Sequence, residues 1–405
     1  MVEQAAGRRF ERLPTVSVVD PDTLARVVYA EQLHLLARRK GLAPGQAEAH
    51  AARSADAMRH AAFGKYGFLD GHLYVDPAGI RAALPGASDQ LLAAVLDLVL
   101  AHELTHALQD QELDLARLAQ DRVGDEGIAV VCALEGHAAW VQMEVARELV
   151  APDGAAVIAA LLGYDASNPQ HSTSPATFHD SYVYGQGTAF VASLEAKGGT
   201  ERTWQVLARP PVRTAMVVHP DRYAPAAKRP PARLLRAART ARAALASSGW
   251  TEVEEPLGDY NVRRALVSAG TDPALADDLE TGWSTRAYGA ERLGLDVQTL
   301  VFRDVERAML FAAAMEVGAA ATVDATRASS GVLGALRHLD VPGADSASVE
   351  RFGLMLPGLP TEHVATALAV RGRVVTQIVL VNVEVDDAQL ALALRGLVES
   401  AGRVR

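Results

Sequence analysis

The sequence predicts an α+β chain, predominantly helical, with a small sheet in its first half and a C-terminal helical and β-hairpin region. Three observations carry this reading. Apolar residues recur at helical spacing in two stretches, Leu24, Val27, Val28, Leu33 and Leu36 over 22–39, and Leu91, Leu92, Val95, Leu98 and Val99 over 88–111. Short β-rich runs, TVSVVD (15–20) and HLYVD (72–76), read as strands. EHVATALAVRGRVVTQIVLVNVEV (362–385) reads as two strands joined at Arg371 and Gly372.

Taken in order, residues 1–13 read as mobile, and Pro21 ends the strand that follows them. The helix over 22–39 leads through a polar helical stretch to the strand at 72–76. Pro85 and Gly86 then precede a long helix capped by Ser88 or Asp89. A further helix covers about 125–150 and stops before Pro152. GYDASNPQHSTSPATFHD (163–180) reads as a loop, with His171 and His179 facing solvent. RPPARLLRAARTARAALASSGW (229–250) opens on a double proline and becomes an Arg-rich helix whose arginines read as a solvated face. The boundary between two domains, 1–240 and 241–405, is placed within that segment. A helix from about Asp386 to Ala401 closes the chain.

Composition narrows the function classes. With 405 residues and 49% hydrophobic content the chain can bury a sizeable core. A net charge of -10 argues against a nucleic-acid binder that relies on general electrostatic attraction. Asp97 interrupts the best apolar stretch, so no transmembrane helix is expected. The start MVEQAAGRRFERLP lacks the basic segment and apolar core of a secretory signal, which makes cytoplasmic residence the expectation for the chain as given. Secretion or membrane anchoring is the alternative if a signal has been removed. The lone Cys132 leaves no internal disulfide and reads as a core residue. No oligomeric state follows from the sequence.

The chemistry is concentrated in HELTH, residues 102–106. On a helix His102 and His106 stand four apart on one face, so both imidazoles reach a single metal ion. Glu103 then falls beside the ion's open position, where a water-activating carboxylate is needed. A third protein ligand is required. Glu135 follows the apolar run GIAVVCAL, where an ionised carboxylate is costly unless it meets a cation. Glu126 is the competitor. At about 100° per residue the two face opposite sides of one helix, and Glu126 sits in VGDEG, which reads as a helix start that its charge would complement. Glu135 is preferred.

HELTHALQDQ (102–111) followed by ALEGHA (133–138) resembles a family of bacterial zincin metallopeptidases in the gluzincin branch, whose second helix carries a glutamate in an E-G-x-A context. GFLDGHLYVD (67–76), SYVYGQGTAFVASLEAKGG (181–199), RPPVRTAMVVHPDRY (209–223) and GWSTRAY (282–288) fit further family elements in order, so the likeness spans about residues 10 to 320. The resemblance implies a zincin-like metallopeptidase core, Zn2+ as cofactor and a peptide or protein substrate; hydrolysis inside the chain is expected over its ends, because nothing in the sequence marks a terminal-amine or carboxylate pocket. It implies that His219 steadies the oxyanion, with Tyr223 and Tyr182 as alternates. Strands beside the active helix in such proteins border the cleft and pair with extended substrate, so 72–76 is a candidate edge, a plain core strand being the equal alternative.

Two departures stand out. Arg213 and Ala215 flank Thr214 in the double-proline element, and Ser284, Thr285 and Arg286 replace a G-G-D sequence in the later block. They motivate a rival reading, a catalytically silent zincin that has become a metal-containing binding or regulatory module. The intact Glu103 counts against it.

Overall fold

The computed structural model describes residues 1–37, 45–119, 122–149, 177–222, 230–247, 249–289, 293–330, 335–354 and 361–404. The chain is α+β, mainly helical, with one small and one larger sheet. It divides into two compact units. Met1–Arg122, Glu126–Ser172 and His179–Pro225 form the first; Val123–Asp125, Thr173–Phe178 and Ala226–Arg405 form the second. The division near 225 precedes the expected one at 240, which falls inside the helix Ala232–Leu245. That helix cannot be split, because Ala238 and Ala241 are buried in the second unit's core.

In the first unit, β1 (Thr15–Val18), β2 (Gly64–Gly67) and β3 (His72–Val75) form a sheet in the order β1-β3-β2. β3 runs parallel to β1 and antiparallel to β2, so the strand expected as a free edge is the central one, paired on both sides. The N-terminal residues are docked as well. Val2–Ala6 form a short helix, Ala6 is fully buried, and its carbonyl accepts a hydrogen bond from Trp204 Nε1 at 2.7 Å.

The active helix spans Asp89–Leu113, with the Ser88 hydroxyl accepting from the Leu91 N–H at 3.2 Å. Leu92, Val95 and Val99 pack against Ile80. Beyond Ala101 nearly the whole circumference is buried, including His102, Glu103, Thr105 and Gln109. The glutamate helix, Gly124–Leu149, crosses the helix Gly187–Leu207 through a glycine pair. A Cβ on Gly136 would lie 2.1 Å from the Gly187 carbonyl carbon, and one on Gly187 would lie 2.2 Å from the Cys132 carbonyl oxygen. Only glycine permits that backbone separation. Cys132, the one cysteine of the sequence, is buried there. Both long helices are apolar and long enough to cross a membrane by length and composition, and over half of each such stretch is buried within the protein.

The second unit is more sheet than the single hairpin expected. β4 (Thr251–Leu257), β5 (Leu279–Tyr288), β6 (Gly294–Phe302), β7 (Ala335–His338), β8 (Ser346–Leu354), β9 (Glu362–Arg371) and β10 (Val374–Val381) pair antiparallel in the order β4-β5-β6-β10-β9-β8-β7. Side chains alternate between faces. Val297, Ala367 and Ile378 pack with the helices Ala232–Leu245 and Asp387–Ala401. On the opposite face Leu300, Phe302 and Val375 pack with Asp259–Ser268 and Val305–Ser330. The Arg-rich helix is not simply solvated. Arg239 forms two 2.6 Å bonds to Glu254, and the buried Arg242 pairs with Glu252, both acids lying on β4.

Candidate metal centre

One turn of the active helix and one of the glutamate helix bring three Lewis bases together. His102 Nε2 lies 3.1 Å from Glu135 Oε2 and 3.1 Å from His106 Nε2, and His106 Nε2 lies 3.3 Å from the same carboxylate oxygen. These atoms form a group that could hold a metal ion. The donors fit zinc. For metal–ligand bonds of about 2.0–2.1 Å, tetrahedral ligands stand about 3.3–3.4 Å from one another. Three Lewis-basic atoms at this spacing are placed to share a proton or a metal ion.

The protonation balance reflects that demand. Burial disfavours charge on His106, yet the adjacent Glu135 carboxylate outweighs it and raises the imidazole to about 9. Burial likewise opposes charge on Glu135, and His106 with His102 holds its carboxyl well below the usual range.

Gln109, fully buried one turn beyond His106, fixes the ligand's orientation. Its amide nitrogen donates to the Leu134 carbonyl at 2.9 Å and lies 3.1 Å from His137 Nδ1. That places Gln109 Oε1 against His106 Nδ1 at 2.9 Å. Nδ1 is therefore the donor, and the Nε2 lone pair faces the other two ligands. His137, whose helix position puts it off the Glu135 face, serves as acceptor in this network and packs edge-on against Trp204. Burial, then the nearby His106, pushes it down to about 3, which keeps it neutral. His102 Nδ1 is buried and, among the described residues, has no hydrogen-bond partner.

Glu103 is 8% exposed, and its Oε2 accepts a 2.6 Å hydrogen bond from the Tyr66 N–H on β2. β2 lies flush against the active helix, since a Cβ on Gly64 would come within 2.5 Å of Val99 Cγ1 and 3.1 Å of Glu103 Cγ. The Tyr66 hydroxyl donates to Asp110 at 2.8 Å, tying the strand to the helix a second time. Beside it, Lys65 pairs with the buried Glu31 at 3.1 Å. Burial would depress the Lys65 ammonium, but Glu31, Glu103 and Glu135 together hold it above its usual value.

Glu126 stands apart from the metal-ligand group, with its carboxylate on Arg122 at 2.9 Å. His219 caps the five-residue helix Thr214–Val218 in the same unit, partly buried, its backbone N–H donating to Ala215 at 3.0 Å. Tyr182 is buried in the π-helical turn Ser181–Gln186, and Tyr223 lies outside the described residues, as does most of the 163–180 loop. Tyr184 in the same turn has its ring 6.2 Å from the His102 ring. π-helical turns frequently mark functional sites.

Gln109, Tyr184 and the β2 backbone were not singled out from the sequence. Gln109 alone left a sequence signal, an amide three positions after His106 on the same helical face. The chain matches no known family model and no curated protein.

Proposed function

We propose that the protein is a zinc-dependent peptidase, more specifically an endopeptidase. The observation that carries this is the convergence of His102, His106 and Glu135 with Glu103 on the same helix. His102, His106 and Glu135 would hold the ion. Bound there, zinc supplies a Lewis acid that acidifies water and polarises a carbonyl.

The chain's own residues do the rest. Glu103 takes a proton from the attacking water on a carboxylate oxygen and returns it to the leaving amine nitrogen. The Tyr66 N–H holds that carboxylate in place. Gln109 keeps His106 in one tautomer and one orientation. Lys65 offsets part of the negative charge of Glu103 and Glu135. A donor for the developing oxyanion comes by resemblance from His219, with Tyr182 and Tyr223 as alternates, and Tyr184 joins them through its approach to His102.

The test is peptide-library cleavage by metal-replete wild type beside Glu103→Gln, with products identified by mass spectrometry. Cleavage by the wild type and loss of about 10²–10⁴-fold in the variant is the expected result. Stoichiometric zinc with no cleavage by either protein would favour the silent binding or regulatory module.

A further inference from the structure

The second unit contains a cavity of about 220 Å³ between the sheet and two helices. Its floor is one sheet face. Ser348, Glu350 and Phe352 alternate along β8, with Thr366 opposite Glu350 on β9, Leu368 opposite Ser348, and Gln377 opposite Leu368 on β10. The roof comes from Met315, Glu316 and Ala319 on Val305–Ser330, from Ala265 on Asp259–Ser268 and from Ala269, which caps that helix.

Two carboxylates meet this space from different elements. Glu350 is only 9% exposed, and Oε1 of both Glu350 and Glu316 is buried with no hydrogen-bond partner among the described residues. Burial alone raises the Glu350 carboxyl above its usual value, with no cation counted against it. A buried acid without a partner costs stability unless it is protonated or a positive ligand arrives.

We propose that this cavity binds a small organic ammonium, a primary amine on a short apolar body. The carboxylates of Glu350 and Glu316 flank the charged nitrogen, the Gln377 amide and Thr366 hydroxyl supply further polar contacts, and Met315, Phe352 and Leu368 receive the apolar body. A hard divalent cation suits it less, because such ions take about six or more oxygens, and half of this wall is hydrocarbon. The site lies wholly in the second unit and is independent of the peptidase reading.

Calorimetric titration of the full chain with butylammonium chloride at about pH 8, where ordinary carboxylates are ionised, tests it, with butanol and calcium chloride as parallel titrants. The expected result is saturable butylammonium binding, no butanol binding, and affinity lowered about tenfold or more in Glu350→Gln and in Glu316→Gln. Far-ultraviolet circular dichroism checks each variant's fold, and either folded variant suffices. Absence of saturable amine binding by the wild type, equal affinity in the folded variants, or tighter binding of calcium than of the amine would overturn the proposal.

Discussion

Gln109 accepts from His106 across one turn of the same helix, and its opposite end is anchored to the carbonyl of Leu134, next to Glu135 on the facing helix. One amide therefore orients one side chain of the candidate metal group while locking the helix that carries another. Gln109→Ala removes these bonds and the contact with His137 while leaving His102, His106 and Glu135 in the chain. We expect zinc affinity to fall about 10–100-fold, measured by competition with a chromophoric chelator, with the far-ultraviolet spectrum unchanged.

The third ligand is decided by metal content. Glu135→Ala is expected to lose the bound zinc, whereas Glu126→Ala, which removes an ion pair with Arg122, keeps it. Elemental analysis after dialysis distinguishes them. Zinc retained by the first variant and lost by the second would move the ligand role to Glu126.

The glycine crossing predicts a stability defect with no chemical change at the site. In Gly136→Ala the new methyl meets the Gly187 backbone, which cannot rotate away. Thermal denaturation should show a loss of about 2–3 kcal/mol. Ala at 136 tolerated without loss would mean that the two helices separate readily.

Two phenols near β2 give a pH signature. The Asp70 carboxylate accepting from Tyr74 pushes that phenol up to about 12, and burial, then the hydrogen bond to Asp110, raises Tyr66 further. Their folded values exceed the unfolded one. The stability they confer is therefore complete below about pH 10 and lost as pH rises through the folded values. Phenolate absorbance followed against pH should show one fewer late-titrating tyrosine in Tyr66→Phe than in the wild type.

Much of the site was legible because its signal is local. His102 and His106 share one helix face by spacing alone, with Glu103 beside them, and Glu135 stood out as a charge in an apolar run. The small strands were legible as segments, but pairing order depends on long-range contacts, so the central place of β3 was hidden. β4 and β5 were missed for another reason. β4 reads TEVEEPL, and its glutamates are satisfied by Arg239, Arg242 and Arg286 from elsewhere in the chain. In β5 buried polar side chains replace the usual apolar ones: Ser284 donates to Asp296 at 2.6 Å, and Arg286 pairs with the same acid at 3.0 Å. Partnering of that kind leaves no alternation in hydropathy to read. Of the replaced residues of GWSTRAY, Ser284 and Arg286 thus have structural partners of their own.

His102 and Glu135 are 33 positions apart and belong to different helices. A cation gripped by both fastens shut a length of backbone that the denatured chain would leave open, and the entropy so removed grows only slowly with loop length. By mass action, free ion at about 100 times its dissociation constant adds about 2.7 kcal/mol to the folded state. Ion supply would then govern how long the fold around the three residues survives, a dependence set by concentration and not by sequence.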